Sequence, residues 1–454
     1  MPETILYHST NRKTKPVTFP QALLKGIAPD GGLFMPERIP VIDPADILGY
    51  KNLSYHEIAF DVSRRFLVGQ IPETELRRIT EESYNYPVPL ENVAGRKFIM
   101  RLDQGPTASF KDFAARMMGR LMQYYLNLEN RKLLILTATS GDTGSAVANA
   151  FYGLENVQIV ILFPKDEVTD RQRKQMTTLG KNVHILGLDA KFDDCQHLVK
   201  QAFADPDLDN LSLSSANSIN IGRLIPQIVY YFYAWSRLSV IPDEEIIFSI
   251  PSGNFGDMMG GVFAMKMGLP VSKFIIATNG NDEFPDYLNS GVYHKIEPSR
   301  NCISSAMNVG HPSNLARLVD LYGGMMDPKG EIPEPADMKA MQKDIYSVSI
   351  SDEQTRKTIK DVHETFSVIL EPHGAVGWAG LMEFLKHNPQ TPEDALCVSL
   401  ETAHPAKFPQ EIMKILAVDP ELPESLKGLE DKEESFEEIP NNYMEFKKYL
   451  LNNF

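Results

Sequence analysis

Short hydrophobic runs alternate with helical stretches from about residue 96 onward. Six runs are predicted to be strands: Leu133–Thr139, Val157–Phe163, Val183–Leu188, Ile246–Ile250, Phe274–Thr278 and Leu396–Leu400. Because they are apolar at nearly every position, they indicate strands buried on both faces, as in parallel sheets. Helical spacing predicts helices at Tyr55–Leu67, Glu73–Tyr84, Phe110–Leu126 and Ile219–Trp235. This alternation predicts an α/β fold with mostly parallel sheets.

The same pattern divides the chain into four predicted parts. Residues 1–95 are turn-rich and are predicted to form an N-terminal domain. Residues 96–130 and 241–418 are predicted to form a large lobe, and residues 131–240 a small α/β lobe. Residues 419–454 carry ten acidic and four basic side chains. They are predicted to be an acidic tail that packs on the body, with a partner-binding tail as the alternative.

Composition narrows the class of protein. The net charge of −15 disfavours binding to nucleic acid or to an anionic membrane surface, while still allowing a small anionic ligand in a local basic pocket. The three cysteines are far apart, so neither a disulfide nor a zinc site is expected and no metal is predicted. We therefore expect a cytoplasmic enzyme without a secretory signal.

The strand Ile246–Ile250 leads into the glycine turn Pro251-Ser252-Gly253-Asn254-Phe255-Gly256-Asp257 and then into a helical pattern. A strand, a glycine turn and a helix start present backbone N–H groups to an anion. Gly253 and Gly256 are expected to let the backbone approach phosphate oxygens. The turn lacks both the Walker lysine and the dinucleotide-binding glycine pattern. An ordinary tight turn that needs glycine is the alternative.

A second unit of this kind follows Leu133–Thr139, where Ser140-Gly141-Asp142-Thr143-Gly144 precedes a helix. Hydroxyl groups and free amides at a helix start suit a carboxylate or a phosphate. An ordinary capped helix is the alternative. The two units together indicate a ligand with two anionic groups.

Lys111 falls in the first turn of the helix predicted from residue 110. The positive end of the helix dipole disfavours a cation there, unless the lysine is deprotonated or covalently engaged, as a Schiff-base lysine is. An exposed lysine that turns away from the helix is the alternative. Thr402 follows a buried strand, at the sheet edge where α/β proteins bind ligands. His404 and Lys407 are further catalytic candidates, although a loop histidine bound to backbone groups is the simpler interpretation of His404.

Together these segments resemble the threonine synthases, pyridoxal-phosphate (PLP) enzymes of the tryptophan-synthase-β fold type, also called fold type II. The resemblance covers nearly the whole chain. It consists of eight segments in the expected order: Phe19–Leu24, Pro29–Pro36, Gly105–Asp112, Thr139–Gly144, Ser215–Asn220 with Arg223, Ser252–Asp257, Met307–Asn314 and Glu401–Pro409. It implies two α/β lobes, the larger of which binds PLP.

The resemblance implies roles for residues around the cofactor. Lys111 is expected to bind PLP covalently and later to move protons. The segment Gly253, Asn254, Phe255, Gly256 and Asp257 is expected to hold the cofactor phosphate. Asp142 is expected near the phenolic oxygen. Thr402 is expected to hydrogen-bond the pyridine nitrogen and to leave that nitrogen neutral.

The resemblance also implies a substrate site. The segment Thr139, Ser140, Gly141 and Thr143 is expected to receive the substrate carboxylate, and Asn217, Ser218 and Arg223 its phosphate. If a helix begins near Ile219, Asn217 and Ser218 lie at its cap and Arg223 about one turn further in. A structural salt bridge is the alternative role for Arg223.

The implied reaction converts O-phospho-L-homoserine and water to L-threonine and phosphate. A related fold-type-II lyase or dehydratase, acting on a phosphorylated or hydroxylated amino acid, is the alternative. Gln104, Asn308 and His311 depart from the residues that we expect in the family, which bears on substrate specificity. The resemblance leaves the oligomeric state open between monomer and homodimer.

Overall fold

The structure is a computed structural model that describes residues 4–454. Its strands are β1 (Tyr7–Ser9), β2 (Phe34–Pro36), β3 (Leu90–Ala94), β4 (Lys97–Arg101), β5 (Leu133–Ala138), β6 (Val157–Pro164), β7 (Val183–Leu188), β8 (Leu213–Ser215), β9 (Ile246–Pro251), β10 (Val271–Thr278), β11 (Ile345–Ser349), β12 (Leu396–Glu401) and β13 (Glu437–Glu438).

The α-helices are α1 (Phe19–Lys25), α2 (Pro44–Gly49), α3 (Tyr55–Phe66), α4 (Glu73–Ser83), α5 (Lys111–Glu129), α6 (Asp142–Phe151), α7 (Asp170–Thr177), α8 (Phe192–Phe203), α9 (Leu224–Leu238), α10 (Gly256–Lys266), α11 (Glu283–Ser290), α12 (Leu315–Leu321), α13 (Met338–Asp344), α14 (Asp352–Phe366), α15 (Pro372–His387), α16 (Pro409–Leu416) and α17 (Tyr443–Asn453). Short 3-10 turns connect several of them.

Two sheets organise the described residues. A six-stranded sheet has the order β11-β10-β9-β12-β4-β3, and all its pairs are parallel except β3 with β4. A five-stranded sheet has the order β13-β7-β6-β5-β8 and is parallel throughout. Parallel strands carry helices on both faces, which explains the nearly continuous apolar runs. The predicted α/β class with mostly parallel sheets is confirmed.

The two ends of the chain pack onto this body. Near the N-terminus, β1 and β2 form a separate antiparallel pair, whereas β3 joins the six-stranded sheet. Near the C-terminus, β13 pairs with β7, and α17 buries Phe446 and Leu450 against the five-stranded sheet. The acidic segment therefore contributes a strand and a helix to the fold while most of its charged side chains stay exposed.

Most predicted elements match closely, and the largest difference is at the start of one helix. The strand β7 has its predicted limits, and most other predicted strands differ by one residue at an end, although β10 begins three residues early. The helix predicted from Ile219 begins instead at Leu224, after a 3-10 turn at Ile221–Arg223. Asn220 caps that turn by accepting the Gly222 N–H. Its short amide side chain stabilises the earlier, tighter turn, so the α-helix starts later.

Among residues 4–454, no helix is long and apolar enough to cross a membrane. All three cysteines are free thiols, as expected. The same residues contain no cluster of metal-ligating side chains.

Candidate active site

A cleft opens at the carboxyl ends of β9 and β12, facing the N-termini of α5, α6 and α10. The topology predicts this position, because ligands of parallel α/β sheets bind beyond the carboxyl ends of the strands. Its lining residues are Phe110, Lys111, Ser140, Asp142, Thr143, Phe192, Asn217, Ser218, Arg223, Gln227, Pro251, Ser252, Gly253, Asn254, Phe255, Gly256, Asp257, Ala306, Met307, His373 and Thr402. Every residue to which the resemblance assigns a site role is among them except Thr139 and Gly141; the further candidates His404 and Lys407 are also absent from the lining.

Lys111 is the first residue of α5, as the pattern predicts. Its side chain is mostly buried, and its Nζ lies 3.9 Å from Oδ2 of Asp142. Burial lowers the pKa of Lys111 to about 8, with Arg223 and Lys407 adding to the fall and Asp142 opposing it. About a tenth of the amine is therefore unprotonated at pH 7 and about half at pH 8, which supplies the neutral form that a nucleophile or base requires.

Asp142 begins α6 and is held by two side chains. Lys407 Nζ lies 2.7 Å from Oδ1, and Gln172 donates to the same oxygen at 2.9 Å. Burial raises the pKa of Asp142, but Lys407 and Lys111 lower it more, and the net pKa lies well below its ordinary value. The fully buried Lys407 also donates to the Thr107 carbonyl at 2.8 Å. Lys407 thus stabilises the charged carboxylate of Asp142 and orients it from behind the cleft.

The turn between β9 and α10 contains a residue in the left-handed region. Phe255 has φ +62° and precedes Gly256, the first residue of α10. The first-turn amides of an α-helix have no intrahelical acceptor, so these N–H groups are available to an anion. The backbone carbonyl of Asn254 accepts from the side chain of Asn314 at 2.8 Å. The turn is therefore held from outside the cleft.

The glycines of this turn also pack closely against neighbouring protein, beside the predicted approach to a phosphate. A Cβ on Gly253 would lie 3.0 Å from Cα of Met307 and 3.1 Å from the Ala306 carbonyl oxygen. A Cβ on Gly256 would lie 3.2 Å from Cβ of Ser218. The close approach is thus to neighbouring protein segments, which pack directly against the turn.

The carboxyl group of Asp257 points toward two tyrosines. Tyr231 donates to Oδ1 at 2.8 Å, Tyr230 donates to the same oxygen, and Oδ2 is buried without a partner. Burial raises the pKa of Asp257 to about 6, against the lowering effect of both tyrosines. Asp257 can therefore offer its backbone N–H to an anion while its carboxyl group bonds elsewhere.

In the segment 139–143, some residues build the turn and others face the cleft. Thr139 is fully buried, and its hydroxyl accepts the N–H groups of Gly141 (2.9 Å) and Gly144 (2.7 Å). Gly141 has φ +124°, and a Cβ there would overlap Gln172. Thr139 and Gly141 build the turn and do not line the cleft, whereas Ser140 and Thr143 face it; substrate contact at these four positions stays a prediction.

Arg223 is 2% exposed and lines the cleft. Its Nη1 donates to the Ala216 carbonyl at 2.7 Å, and its buried Nε has no acceptor. No carboxylate of the described residues forms an ion pair with it, which excludes the salt-bridge alternative there. Burial lowers the pKa of Arg223 to about 10. A buried guanidinium with an unused donor is suited to an anionic ligand.

Asn217 and Ser218 line the cleft beside Arg223, although they do not cap α9 as predicted. The side chain of Asn217 donates to the Ala138 carbonyl at 3.0 Å, which ties this loop to the end of β5. The Ser218 carbonyl accepts from the buried Arg317 at 3.0 Å. The loop is thus fixed from both sides.

Thr402 follows β12, and its hydroxyl lies 3.4 Å from Oε1 of Glu371. His404 does not face the cleft; its Nδ1 accepts the Ala406 N–H at 3.2 Å, in agreement with the simpler interpretation. Burial lowers the pKa of His404 to about 4, helped by Arg101 and Lys407.

His373 is a cleft residue that the sequence analysis missed. It lies in the first turn of α15, where its Nδ1 bonds Glu371 and its Nε2 accepts the Ala306 N–H at 3.0 Å. The available signal was the segment Glu371-Pro372-His373, an acidic cap followed by proline at a helix start.

The three positions that depart from the family expectation bond to nearby protein groups. Gln104 donates to Asp103 at 2.8 Å. Asn308 accepts the Cys302 N–H at 3.1 Å, and His311 Nδ1 lies 2.7 Å from the Tyr293 hydroxyl. None of the three lines the cleft.

Comparison with family profiles gives three matches that together span most of the chain. Residues 6–84 match the threonine synthase N terminus, residues 84–402 the pyridoxal-phosphate-dependent enzymes, and residues 374–450 the threonine synthase C-terminal domain.

Individual proteins give the same result. The chain is 37% identical to threonine synthase from Pseudomonas aeruginosa, covering 98% of this chain and 97% of the relative. It is 36% identical to the Escherichia coli enzyme, over 96% and 97% of the two chains. The crystal structure of PLP-bound threonine synthase from Brucella melitensis superposes with a TM-score of 0.91 at 35% identity, covering 99% of each chain. The yeast threonine synthase structure superposes with a TM-score of 0.89 at 32% identity, again over 99% of each chain.

Proposed function

The chain belongs to the threonine synthase family of pyridoxal-phosphate-dependent enzymes, and we propose a division of roles among the residues of its cleft. It is a lyase that acts on a carbon–oxygen bond to phosphate, converting O-phospho-L-homoserine and water to L-threonine and phosphate with PLP as cofactor. The observation that supports the proposed roles is that two residues lie in one cleft: Lys111, whose pKa is lowered, and Arg223, whose guanidinium has no carboxylate partner among the described residues.

The residues present fit the cofactor. The amides at Gly253–Asp257 meet the start of α10, where a phosphate is stabilised by free N–H groups and by the helix dipole. Lys111 supplies an amine for an aldehyde, and Thr402 supplies a hydroxyl for the ring nitrogen. Asp142 is proposed to lie near the phenolic oxygen. When bound, PLP supplies an electron-accepting ring that stabilises negative charge on carbons next to the substrate nitrogen.

Lys111 is proposed to hold and move the protons of the reaction at its Nζ. Once the substrate amine has replaced it, the freed amine can remove the Cα proton and then serve as acid and base at the neighbouring carbon. Its pKa of about 8 suits both directions of transfer near neutral pH. Asp142, 3.9 Å away and itself held by Lys407, keeps a fixed negative charge beside this amine.

The substrate's two anionic groups are proposed to bind at the two remaining parts of the cleft. Ser140 and Thr143, with the free amides at the start of α6, would receive the carboxylate. Asn217, Ser218 and Arg223 would hold the phosphate, to which Arg223 brings a positive charge that no carboxylate of the described residues pairs with. This unpaired charge favours a phosphorylated substrate over the hydroxylated substrate of a dehydratase.

Borohydride reduction tests the assignment of Lys111. Reduction of the holoenzyme followed by peptide mapping should place the label on Lys111. Lys407 is the internal control, because it is fully buried and already bonded to Asp142 and Thr107. Label on Lys407 or on another lysine would contradict the assignment. Product analysis with O-phospho-L-homoserine should show threonine and phosphate without 2-oxobutyrate.

We further propose that the enzyme is cytoplasmic, does not bind nucleic acid, and is a monomer or homodimer. The net charge of −15 and three free cysteines support these proposals. We also propose that the large lobe consists of residues 96–130 and 241–418 and the small lobe of residues 131–240. The separate six- and five-stranded sheets support this division.

A further inference from the structure

Asp257 places a carboxylate at the turn that is proposed to hold the cofactor phosphate. It is the second residue of α10, lines the cleft and is 5% exposed. A negative side chain in the first turn of a helix stabilises that helix through its dipole. It would repel a phosphate bound at the same helix start, and the repulsion is strong where water is largely excluded. Tight binding of the anion therefore requires that this carboxylate be kept away from it.

Two phenol groups of α9 hold the carboxylate of Asp257. Tyr231 donates to its Oδ1 at 2.8 Å and shares that proton with the Asp257 carbonyl oxygen at 3.1 Å, and Tyr230 donates to the same Oδ1. Burial raises the pKa of both phenols, so they keep their protons, whereas a carboxyl group with a pKa of about 6 is ionised at slightly alkaline pH and can only accept. The other oxygen, Oδ2, is buried without a partner. The charge is thus withdrawn from the cleft.

The rings of both tyrosines are fixed by their neighbours. The ring of Tyr230 meets that of Phe113 edge to face, with centroids 5.7 Å apart, and the ring of Tyr231 meets that of Phe248 at 4.9 Å. A Cβ on Gly261 of α10 would lie 2.9 Å from Cζ of Tyr231, so α9 and α10 are in close contact here. Packing therefore places the two hydroxyl groups independently of any ligand.

We propose that Tyr230 and Tyr231 are positioning residues for the cofactor phosphate. They hold the Asp257 carboxylate toward α9, so that the phosphate meets the backbone N–H groups at the start of α10 without an opposing charge. The inference rests on the proposed function, in which the turn Gly253–Asp257 holds that phosphate. On this basis α9 serves two anions: Arg223 at its N-cap is proposed to meet the substrate phosphate, and the tyrosines, about two turns later, keep negative charge away from the cofactor phosphate.

The test compares the affinity of the full-length apo-protein for PLP with its affinity for pyridoxal, which lacks the phosphate, by equilibrium dialysis at slightly alkaline pH. Both ligands carry the same ring and aldehyde, so the ratio of the two affinities isolates the phosphate. In the double variant Tyr230→Phe with Tyr231→Phe, the carboxylate is free to approach the phosphate, and the preference for PLP should fall roughly tenfold or more. Adding Asp257→Asn removes the charge and should restore the preference. Tyr231→Phe alone should give a smaller fall and supplies the test if the double variant does not fold.

Tyr84→Phe is the matched control. Tyr84 is also a buried tyrosine that packs on Phe113, but its hydroxyl donates to the Phe113 carbonyl at 3.1 Å, so its loss should leave the preference for PLP unchanged. An unchanged preference in the double variant, or no recovery with Asp257→Asn, overturns the inference. Asn254→Asp tests the proposed function separately, because it adds a charge to the turn itself and should lower the preference whatever the tyrosines do. An unchanged preference in Asn254→Asp would contradict the proposed phosphate site.

Discussion

Replacing Arg223 by methionine should separate substrate binding from folding stability. The charge of Arg223 is buried, and its pKa of about 10 lies more than two units below the ordinary value for arginine. At about 1.4 kcal/mol per pKa unit, burial disfavours the charged form by roughly 3 kcal/mol. Against this, Arg223→Met loses the hydrogen bond to the Ala216 carbonyl, a bond from a charged donor that contributes about 1.5–3 kcal/mol.

The two contributions nearly cancel, so the apo-protein of Arg223→Met should be as stable as the wild type or slightly more stable. Replacement of buried ions by apolar residues commonly has this outcome. Urea unfolding of both apo-proteins measures the difference. The affinity for substrate should instead fall, because loss of a charge-assisted bond to phosphate weakens binding by roughly ten- to more than a hundredfold. KM for O-phospho-L-homoserine should rise accordingly, while the affinity for threonine changes little.

Arg317→Met is the matched comparison. Arg317 is also fully buried, and burial lowers its pKa to about 9, but it donates to four oxygens at 2.5–3.0 Å. Losing four charge-assisted bonds should outweigh the relief of burial and destabilise the apo-protein by several kcal/mol, on the order of 2–5. If Arg223→Met is destabilised as strongly as Arg317→Met, and threonine and substrate affinities fall together, then Arg223 is structural and the reasoning fails.

Three further outcomes are expected. The rate of PLP capture by the apo-enzyme should rise with pH through about 8, because the neutral amine of Lys111 is the reacting form; a midpoint near the ordinary lysine pKa would refute this. Lys407→Met should lower the free energy of unfolding in urea by about 3–5 kcal/mol, because it removes the nearer of the two ammonium groups beside the buried Asp142, and adding Asp142→Asn should recover most of the loss. Phe446→Ala should lower the free energy of unfolding in urea by about 3–5 kcal/mol, because Phe446 is buried where α17 packs on the five-stranded sheet. Met444→Ala, on the exposed face of α17, should change it by less than about 0.5 kcal/mol.

Much of the fold was predictable because strands and glycine turns leave local signals. Continuous apolar runs located β5, β6, β7, β9 and β12 to within a residue at each end, since buried parallel strands must be apolar on both faces. The predicted start of α9 was too early, because Asn220 stabilises a 3-10 turn before the helix. That turn depends on one hydrogen bond, from the Gly222 N–H to the Asn220 side chain. Hydrophobic periodicity contains no information on such a cap.

The cleft was predictable in its residues but less so in their partners. The helical pattern singled out Lys111 and the family resemblance singled out Arg223, whereas the contacts that set their chemistry span long distances along the chain. Asp142 contacts Lys407, which lies 265 residues later in the chain, and Thr402, after β12, lies near Glu371 at the N-cap of α15. Tertiary packing alone produces these pairs. For the same reason the sequence does not show that the Thr139 hydroxyl accepts the amides of its own turn, since such a hydroxyl suits a ligand equally well.

The burial of unpaired cations beside the cleft links folding to ligand binding. Arg223 and Arg317 are both buried without a carboxylate partner among the described residues, and burial lowers both pKa values. The apo-protein therefore carries uncompensated positive charge at the place where two phosphate groups are proposed to bind. Each phosphate that binds the folded form stabilises it in proportion to RT ln(1 + [L]/Kd). Arg223 lines the cleft and is proposed to meet the substrate phosphate, whereas Arg317 lies behind the cleft and holds the Ser218 carbonyl. On this proposal, the same electrostatic cost that weakens the apo-protein makes the site selective for a phosphorylated substrate over its unphosphorylated analogues.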